Sequence, residues 1–275
     1  MYADAQDDYS LDRLALTAQL RRGIDRGELV IHYQPKVALQ ADRTLAVEAL
    51  VRWNHPQLGC IGPDGFVPLA VQAGLIKLLT NRVMEAALSQ ASAWRHAGID
   101  VQMSVNVSMR NLLDHDLPTA IGAMLDRFGL PACALQLEVT ESRMVSDMAR
   151  ASSVLHKLRA MGVSIALDDF GTGFSSLSQL QQLPVDEIKI DRSFVIHMET
   201  DRNDAALVRS IIDLGRNLGL RVTAEGVETS IVRRTLRDLG CDFAQGYHLS
   251  RPVPADECLR YLESILRPVP LGAVA

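Results

Sequence analysis

Along this chain, short apolar runs take turns with amphipathic stretches. Leu14, Leu16, Leu20 and Ile24 fall at helical spacing between Leu11 and Gly27, and Arg26-Gly27 is a C-cap signal. A first strand, Leu29 to Tyr33, is expected to stop at Gln34-Pro35; the second, Thr44 to Trp53, carries Glu48 inside otherwise apolar sequence. Two helices follow, one from Pro63-Asp64 to Ala73 and one from Leu75 to His96, and then a third strand, Val101 to Val107. Arg110 to Phe128 reads as helix broken near His115 to Pro118. Leu135 to Val139 is the fourth strand, and the amphipathic stretch Arg143 to Met161 is closed by Gly162. Val163 to Leu167 is the fifth, ending in Asp168-Asp169 and a Gly-x-Gly loop, Gly171 to Gly173. A short helix around Ser175 to Leu183 leads to a sixth strand, Glu187 to Ile190. Helices Asp204 to Leu218, Ser230 to Leu239 and Ala255 to Leu266 alternate with a seventh strand, Arg221 to Ala224, and an eighth, Cys241 to Gln245.

Eight strand-length segments, mostly separated by helices, predict an α/β protein with a parallel sheet, and the count points to a closed (β/α)8 barrel. An open doubly wound sheet is the rival. Its dinucleotide-binding form is disfavoured, because no Gly-x-Gly-x-x-Gly follows the first strand. The length of 275 residues suits one barrel domain.

The polar residues at the strand ends change the picture. In order they are Gln34, Glu48, Asn106, Glu138, Asp168 with Asp169, Lys189, Glu225 and Gln245. One such residue is an ordinary solvated edge. All eight strands ending this way, four of them in carboxylates, describes one polar mouth, because the C-terminal ends of barrel strands converge. The donors are oxygen atoms, with no His or Cys in register, and this suits the hard cations Mg2+ or Mn2+. None of the seven histidines pairs at i, i+4, and no nucleophile elbow is present. The chemistry expected is metal-assisted attack of water on a phosphoester. Asp169-Phe170-Gly171 alone suggests a protein kinase, which the lack of a His-Arg-Asp catalytic loop rules out.

Composition adds bounds. The formal net charge of −5 argues against binding to duplex nucleic acid or an anionic membrane, and an anionic substrate would need local cations. Cys60, Cys133, Cys241 and Cys258 form no Cys-x-x-Cys pair, so reduced thiols in a cytoplasmic protein are expected. No apolar run reaches the ~18 residues of a membrane span; the stretch Phe66 to Leu79 is broken by Gln72 and Lys77. Residues 1–10 are polar and acidic, unlike a secretory signal, and read as a linker or leader. Residues 11–266 then form the domain and residues 267–275 a frayed tail.

Glu48-Ala49-Leu50, followed by Val51-Arg52-Trp53, resembles the signature of the EAL-domain cyclic di-GMP phosphodiesterases. The likeness runs from about Leu11 to Leu266 and includes Tyr33-Gln34-Pro35, Ser104-Val105-Asn106-Val107-Ser108 and Leu137-Glu138-Val139-Thr140-Glu141-Ser142. It continues through Asp168-Asp169-Phe170-Gly171-Thr172-Gly173, Ile188-Lys189-Ile190-Asp191, Ala224-Glu225-Gly226-Val227-Glu228 and Gln245-Gly246-Tyr247.

The resemblance implies a TIM-like barrel whose first strand is antiparallel to the rest, and hydrolysis of cyclic di-GMP to linear pGpG. It implies that Glu48, Asn106, Glu138 and Asp168 ligate a first Mg2+ or Mn2+, and that Asp168, Asp169 and Glu225 hold a second. Lys189 and Gln245 would position the attacking water, or Lys189 would be a structural ion-pair partner of Asp168. Glu141 would hold the loop Phe170 to Ser176, Gln34 and Arg52 would contact substrate, and Glu228 would be loop support or a solvated helix start. A homodimer is a further implication, and the chain is either a stand-alone enzyme or a domain excised from a longer parent chain with a regulatory domain. The two alternatives are a non-catalytic cyclic di-GMP receptor and a phosphoesterase for another dinucleotide, such as pGpG. The full acidic set favours the enzyme.

Overall fold

The computed structural model describes residues 16–41, 43–140, 148–173, 180 and 182–266. The expected leader, the tail, Glu141, the start of the helix after it and most of the helix from Ser175 lie outside the described residues. Among the described residues nine strands form one sheet in the order β1-β9-β8-β7-β6-β5-β4-β2-β3, and β1 also pairs with β2, which closes eight of them into a barrel. The strands are β1 (Leu29–Ala38), β2 (Arg43–His55), β3 (Gly59–Ile61), β4 (Gln102–Val107), β5 (Leu135–Thr140), β6 (Ser164–Phe170), β7 (Glu187–Ile190), β8 (Arg221–Ala224) and β9 (Phe243–Ala244). β1 runs antiparallel to both its neighbours, β2 and β9, while β2 and β4 to β9 pair parallel in sequence. The expected TIM-like barrel with a reversed first strand is therefore present.

Helices cover the outside. The first, α1, spans residues 16–26 and buries Leu20 and Ile24. It is followed by α2 (Pro63–Gln72), α3 (Ile76–His96), α4 (Met109–Leu112), α5 (Leu117–Phe128), α6 (Met148–Ala160), α7 (Arg192–His197), α8 (Arg202–Leu218), α9 (Ser230–Asp238) and α10 (Ala255–Leu266). Their ends follow local chemistry. Asp201 and Thr229 accept the N–H groups of Asn203 and Val232 at the starts of α8 and α9, and Gly219, at φ +69°, ends α8. The core lies between helices and strands, on the outward strand positions. On β5 these are Leu135, Leu137 and Val139, and on β7 Ile188 and Ile190, all essentially inaccessible. The alternate positions, Gln136, Glu138, Glu187 and Lys189, turn into the barrel.

Several boundaries depart from expectation. β1 does not stop at Gln34-Pro35 but continues to Ala38, paired with β2 throughout with a register shift between Lys36 and Val37. The N–H of Tyr33 points away from β2, to the Val253 carbonyl. The Pro35 nitrogen, two residues on, faces that same side, where β1 pairs with β9 only at Val37 and Ala38, so no ladder bond is lost. β3 and α7 were not anticipated. β3 folds back on the end of β2, where His55 Nδ1 accepts the N–H groups of Gln57 and Leu58 at 3.1 Å each. The eighth barrel strand shrinks to Phe243–Ala244, although the Gln245 N–H still reaches the Ala224 carbonyl at 2.9 Å.

Candidate active site

Asp168 and Asp169 lie inside β6, not beyond its end. In a regular strand adjacent side chains point to opposite faces. Here the register between β6 and β7 breaks between Leu167 and Phe170, and Asp169 has φ +55°, the only non-glycine positive φ among the described residues. Aspartate tolerates this left-handed conformation better than most residues. The irregularity brings both carboxylates to one site: oxygens of Asp168, Asp169 and Glu225 lie within 4.8 Å of one another.

Lys189 stands at the centre of the mouth and is fully buried. Its ammonium lies 2.6 Å from Glu138 and 2.6 Å from Glu225, 3.2 Å from Asp168 and 3.7 Å from Glu48. Glu48, from β2, accepts hydrogen bonds from Asn106 Nδ2 at 2.7 Å and Gln245 Nε2 at 2.6 Å. Gln245 also donates to Gln34 Oε1 at 3.0 Å, and Gln34 donates to the Ser250 carbonyl at 3.0 Å. Eight predicted residues from or just after eight strands thus meet in one network, Gln34 and Glu48 from inside β1 and β2 rather than from their ends. Arg52 stands on the wall of the same cavity and donates to its own neighbour, the Val51 carbonyl, at 2.9 Å.

One lysine faces five carboxylates, and the charge imbalance sets their protonation. Burial pushes Glu138 well above the ordinary carboxylate range, with Glu48 adding to the effect. Burial likewise lifts Glu225 to about 8 against the pull of Lys189, and lifts Asp169 to about 6 together with Asp168 and Asp191. Glu48 feels the same burial, yet Lys189, Gln245 and Asn106 outweigh it and hold its carboxyl low. Burial pulls Lys189 down, but Asp168, Glu138, Glu225 and Glu48 together push it well above an ordinary lysine.

Three buried oxygens here accept no hydrogen bond: Glu138 Oε1, Asp168 Oδ1 and Gln245 Oε1. Asp168 Oδ1 is close to the ammonium but not aligned to accept from it. Unpartnered buried acceptors beside surplus negative charge are what a bound divalent cation would satisfy, and the all-oxygen donor set suits Mg2+ or Mn2+. Glu48, Asn106, Glu138, Asp168, Asp169 and Glu225 fit that group.

The centre opens into a cavity of about 730 Å3 that reaches from Gln34 and Arg52 to Arg192 and Tyr247. Tyr247 is half exposed, with the Arg251 guanidinium 4.3 Å from its ring centroid. Sequence reasoning assigned no role to Asp191, which lines this cavity and contacts Asp169, or to Arg192 and Asp64. Their positions just after β7 and at the start of α2 were the available signal. A second cavity of about 580 Å3, at the other end of the barrel between the starts of β6, β7 and β8, contains none of the predicted site residues.

A closed mixed barrel with an acidic, oxygen-rich centre at its carboxyl mouth defines a TIM-like barrel protein with a carboxylate cluster that could hold a metal ion. Comparison with known proteins narrows this class. Residues 17–252 match the family model described as EAL domain, and the chain belongs to that family. It is 43% identical over 260 residues to the bifunctional diguanylate cyclase/cyclic di-GMP phosphodiesterase MucR of Pseudomonas aeruginosa, covering 94% of this chain and 37% of that protein. It is 39% identical to the cyclic di-GMP phosphodiesterase NbdA of the same organism, covering 92% of this chain and 32% of that one. The chain therefore spans about a third of the length of these relatives. Among solved structures, the PaMucR phosphodiesterase in complex with c-di-GMP superposes with a TM-score of 0.85 at 43% identity, covering 89% of this chain and 99% of that one. No helix among the described residues is long and apolar enough to cross a membrane.

Proposed function

We propose that the protein is a divalent-cation-dependent phosphodiesterase that hydrolyses cyclic di-GMP to linear pGpG. The observation that carries this is the complete oxygen-donor set around Lys189, three of its buried oxygens unpartnered, in a family whose relatives are named cyclic di-GMP phosphodiesterases. Glu48, Asn106, Glu138 and Asp168 would hold one cation, and Asp168, Asp169 and Glu225 the other. When bound, such cations supply a nucleophile at neutral pH and offset charge on the phosphodiester.

The protein's own groups do the rest. The Lys189 ammonium, held by carboxylates from β5 and β8, directs a donor to the point where the attacking water must sit. Gln245, tied to Gln34 and Glu48, fixes the other side of that point. Gln34 and Arg52 contact the substrate from the cavity wall, Arg52 as a charged donor to phosphate. Attack breaks one P–O3′ bond; the water oxygen stays on phosphorus, and the departing 3′-oxygen takes a proton. Glu141, outside the described residues, is assigned to support of the loop after β6. In this reading residues 11–266 are one phosphodiesterase domain, working in the cytoplasm as a homodimer under control of a regulatory domain in a longer parent chain.

Turnover of cyclic di-GMP with Mg2+ or Mn2+, beside the Glu48→Ala variant, tests the proposal. The substitution removes a carboxylate and takes from the Asn106 and Gln245 amides the acceptor that each donates to. Formation of pGpG that drops by about 100-fold or more in the variant is expected. Tight binding of cyclic di-GMP without turnover in the wild type would establish the receptor instead.

A further inference from the structure

Below the carboxylate ring, the barrel interior holds a second polar tier. Lys36 Nζ donates to Glu187 Oε1 at 2.7 Å and to Gln136 Oε1 at 2.8 Å. Thr223 Oγ1 donates to Glu187 Oε1 at 2.7 Å, Gln136 Nε2 to Glu187 Oε2 at 3.1 Å, and Ser104 Oγ to Gln136 Oε1 at 2.7 Å. All five side chains are buried. Each sits two residues from a member of the upper site on the same strand: Lys36 from Gln34, Ser104 from Asn106, Gln136 from Glu138, Glu187 from Lys189 and Thr223 from Glu225. The two tiers differ in saturation. None of the unpartnered buried atoms belongs to the lower one.

This arrangement matters most on β7, where opposite charges occupy consecutive inward positions. Glu187 and Lys189 lie about 6.6 Å apart along the strand, within reach of a lysine side chain. Yet no ion pair joins them among the described residues: Glu187 is taken by Lys36, and Lys189 turns up to the ring. We propose that Lys36 is a positioning residue for Lys189: by engaging Glu187, it leaves the Lys189 ammonium free for the carboxylates above. Without Lys36, Glu187 would keep only the more distant, partly solvent-exposed guanidinium of Arg221, 3.7 Å from Oε2, and the one fully buried cation left to draw toward Glu187 would be Lys189. The ammonium would be drawn down, away from Glu138, Glu225 and Asp168. This inference rests on the role given to Lys189 under the proposed function.

The test compares Lys36→Met, Lys36→Met/Glu187→Leu and wild type, well below the unfolding temperature of each. Steady-state turnover of cyclic di-GMP and calorimetric Mn2+ affinity without substrate are measured. In Lys36→Met, kcat should fall about 10- to 100-fold with KM within about threefold, because the ammonium is misplaced rather than substrate binding lost. Mn2+ should bind at least as tightly as in wild type, because the withdrawn ammonium no longer competes for the ring. Removing Glu187 as well should return kcat to within about threefold of wild type, and a buried ion pair replaced by apolar side chains usually folds. Wild-type kcat in folded Lys36→Met, Mn2+ affinity lost in parallel with kcat, or no recovery in the double variant would each overturn the inference. If Lys36→Met does not fold, the double variant alone decides: near-wild-type kcat supports the inference, and a loss above about tenfold overturns it. If wild type does not turn over cyclic di-GMP, the functional reading fails, and the order of Mn2+ affinities still tests the position of Lys189.

Discussion

Replacing Lys189 by Met tests the electrostatics of the site most directly. The ammonium is the only cation within 4 Å of Glu138, Glu225, Asp168 and Glu48 among the described residues. At an effective dielectric constant of about 20, each contact at 2.6 Å is worth about 6 kcal/mol of gross attraction, most of it offset by desolvation of the charges. Removing one partner of a buried pair costs about 3–5 kcal/mol, because the remaining charge is uncompensated. Protonation of Glu138 and Glu225, both already raised, holds the cost to that range. At roughly 2–4 °C per kcal/mol for a domain near this size, the unfolding midpoint in EDTA should fall by about 6–20 °C. A divalent cation takes over the missing positive charge, so Mn2+ at about 100 times its Kd should return about 2.7 kcal/mol. Turnover should stay absent throughout, since the donor that positions water is gone. Thermal unfolding in EDTA and in Mn2+, with a turnover assay on each sample, makes the comparison. A midpoint in EDTA within about 2 °C of wild type would refute the reasoning, as would a variant that Mn2+ fails to stabilise.

Without divalent cations, stability should fall as pH rises. Glu225 goes from an ordinary 4.5 to about 8 and Asp169 from 3.8 to about 6, chiefly by burial, so between those values the folded chain holds protons that the unfolded chain has released. Each group contributes at most about 1.4 kcal/mol per pH unit, and clearly less for Asp169, the less buried of the two, where solvent screens the charge. Urea midpoints from pH 5 to 8.5 should decline in EDTA and flatten in Mn2+; a rise with pH in EDTA contradicts the assignment. Gly246→Ala should be among the most disruptive glycine changes, because a Cβ there would sit 2.3 Å from the Val227 backbone nitrogen and oxygen. A loss of roughly 3 kcal/mol or more, with turnover reduced by displacement of Gln245, is expected from denaturant unfolding and kinetics. Asp169→Asn should fold with little change in stability, since asparagine also accepts a positive φ, while Mn2+ affinity from calorimetry drops by about tenfold or more.

Most of the site was legible because strand ends carry its chemistry, and apolar runs locate strand ends. Asn106, Glu138, Lys189, Glu225 and Gln245 each follow an apolar residue near the end of a run, Glu48 interrupts one, and the barrel brings them together as that pattern predicts. Where the reading failed, the reason was local. Pro35 looks like a strand breaker, and only the side to which its nitrogen points shows that it is harmless there. β9 is two residues long, and just beyond it Gly246 packs against the Val227 backbone, a tertiary contact with no signature in the run from Cys241 to Gln245. The adjacent Asp168 and Asp169 could not both have faced inward on a regular strand. The irregularity that lets them do so is a tertiary feature, visible in sequence only as an aspartate where a positive φ is tolerated.

The lower tier is the more instructive omission. Gln136, Glu187 and Thr223 each lie in a short strand where polar and apolar residues alternate, and a polar residue at an inward position is costly unless it is paired. Period-two spacing ties each of them to a site residue on the same strand, so the signal was present in the sequence. A single strand cannot show the partner, because Lys36 and Glu187 are 151 positions apart and meet only when β1 and β7 face each other across the closed barrel. Burial without a partner and burial within a saturated network look alike in one strand. The difference between them separates the two tiers: unpaired oxygens above, where the proposed cations and substrate would bind, and fully paired ones below, where the proposed role of Lys36 is to keep Glu187 from competing for Lys189.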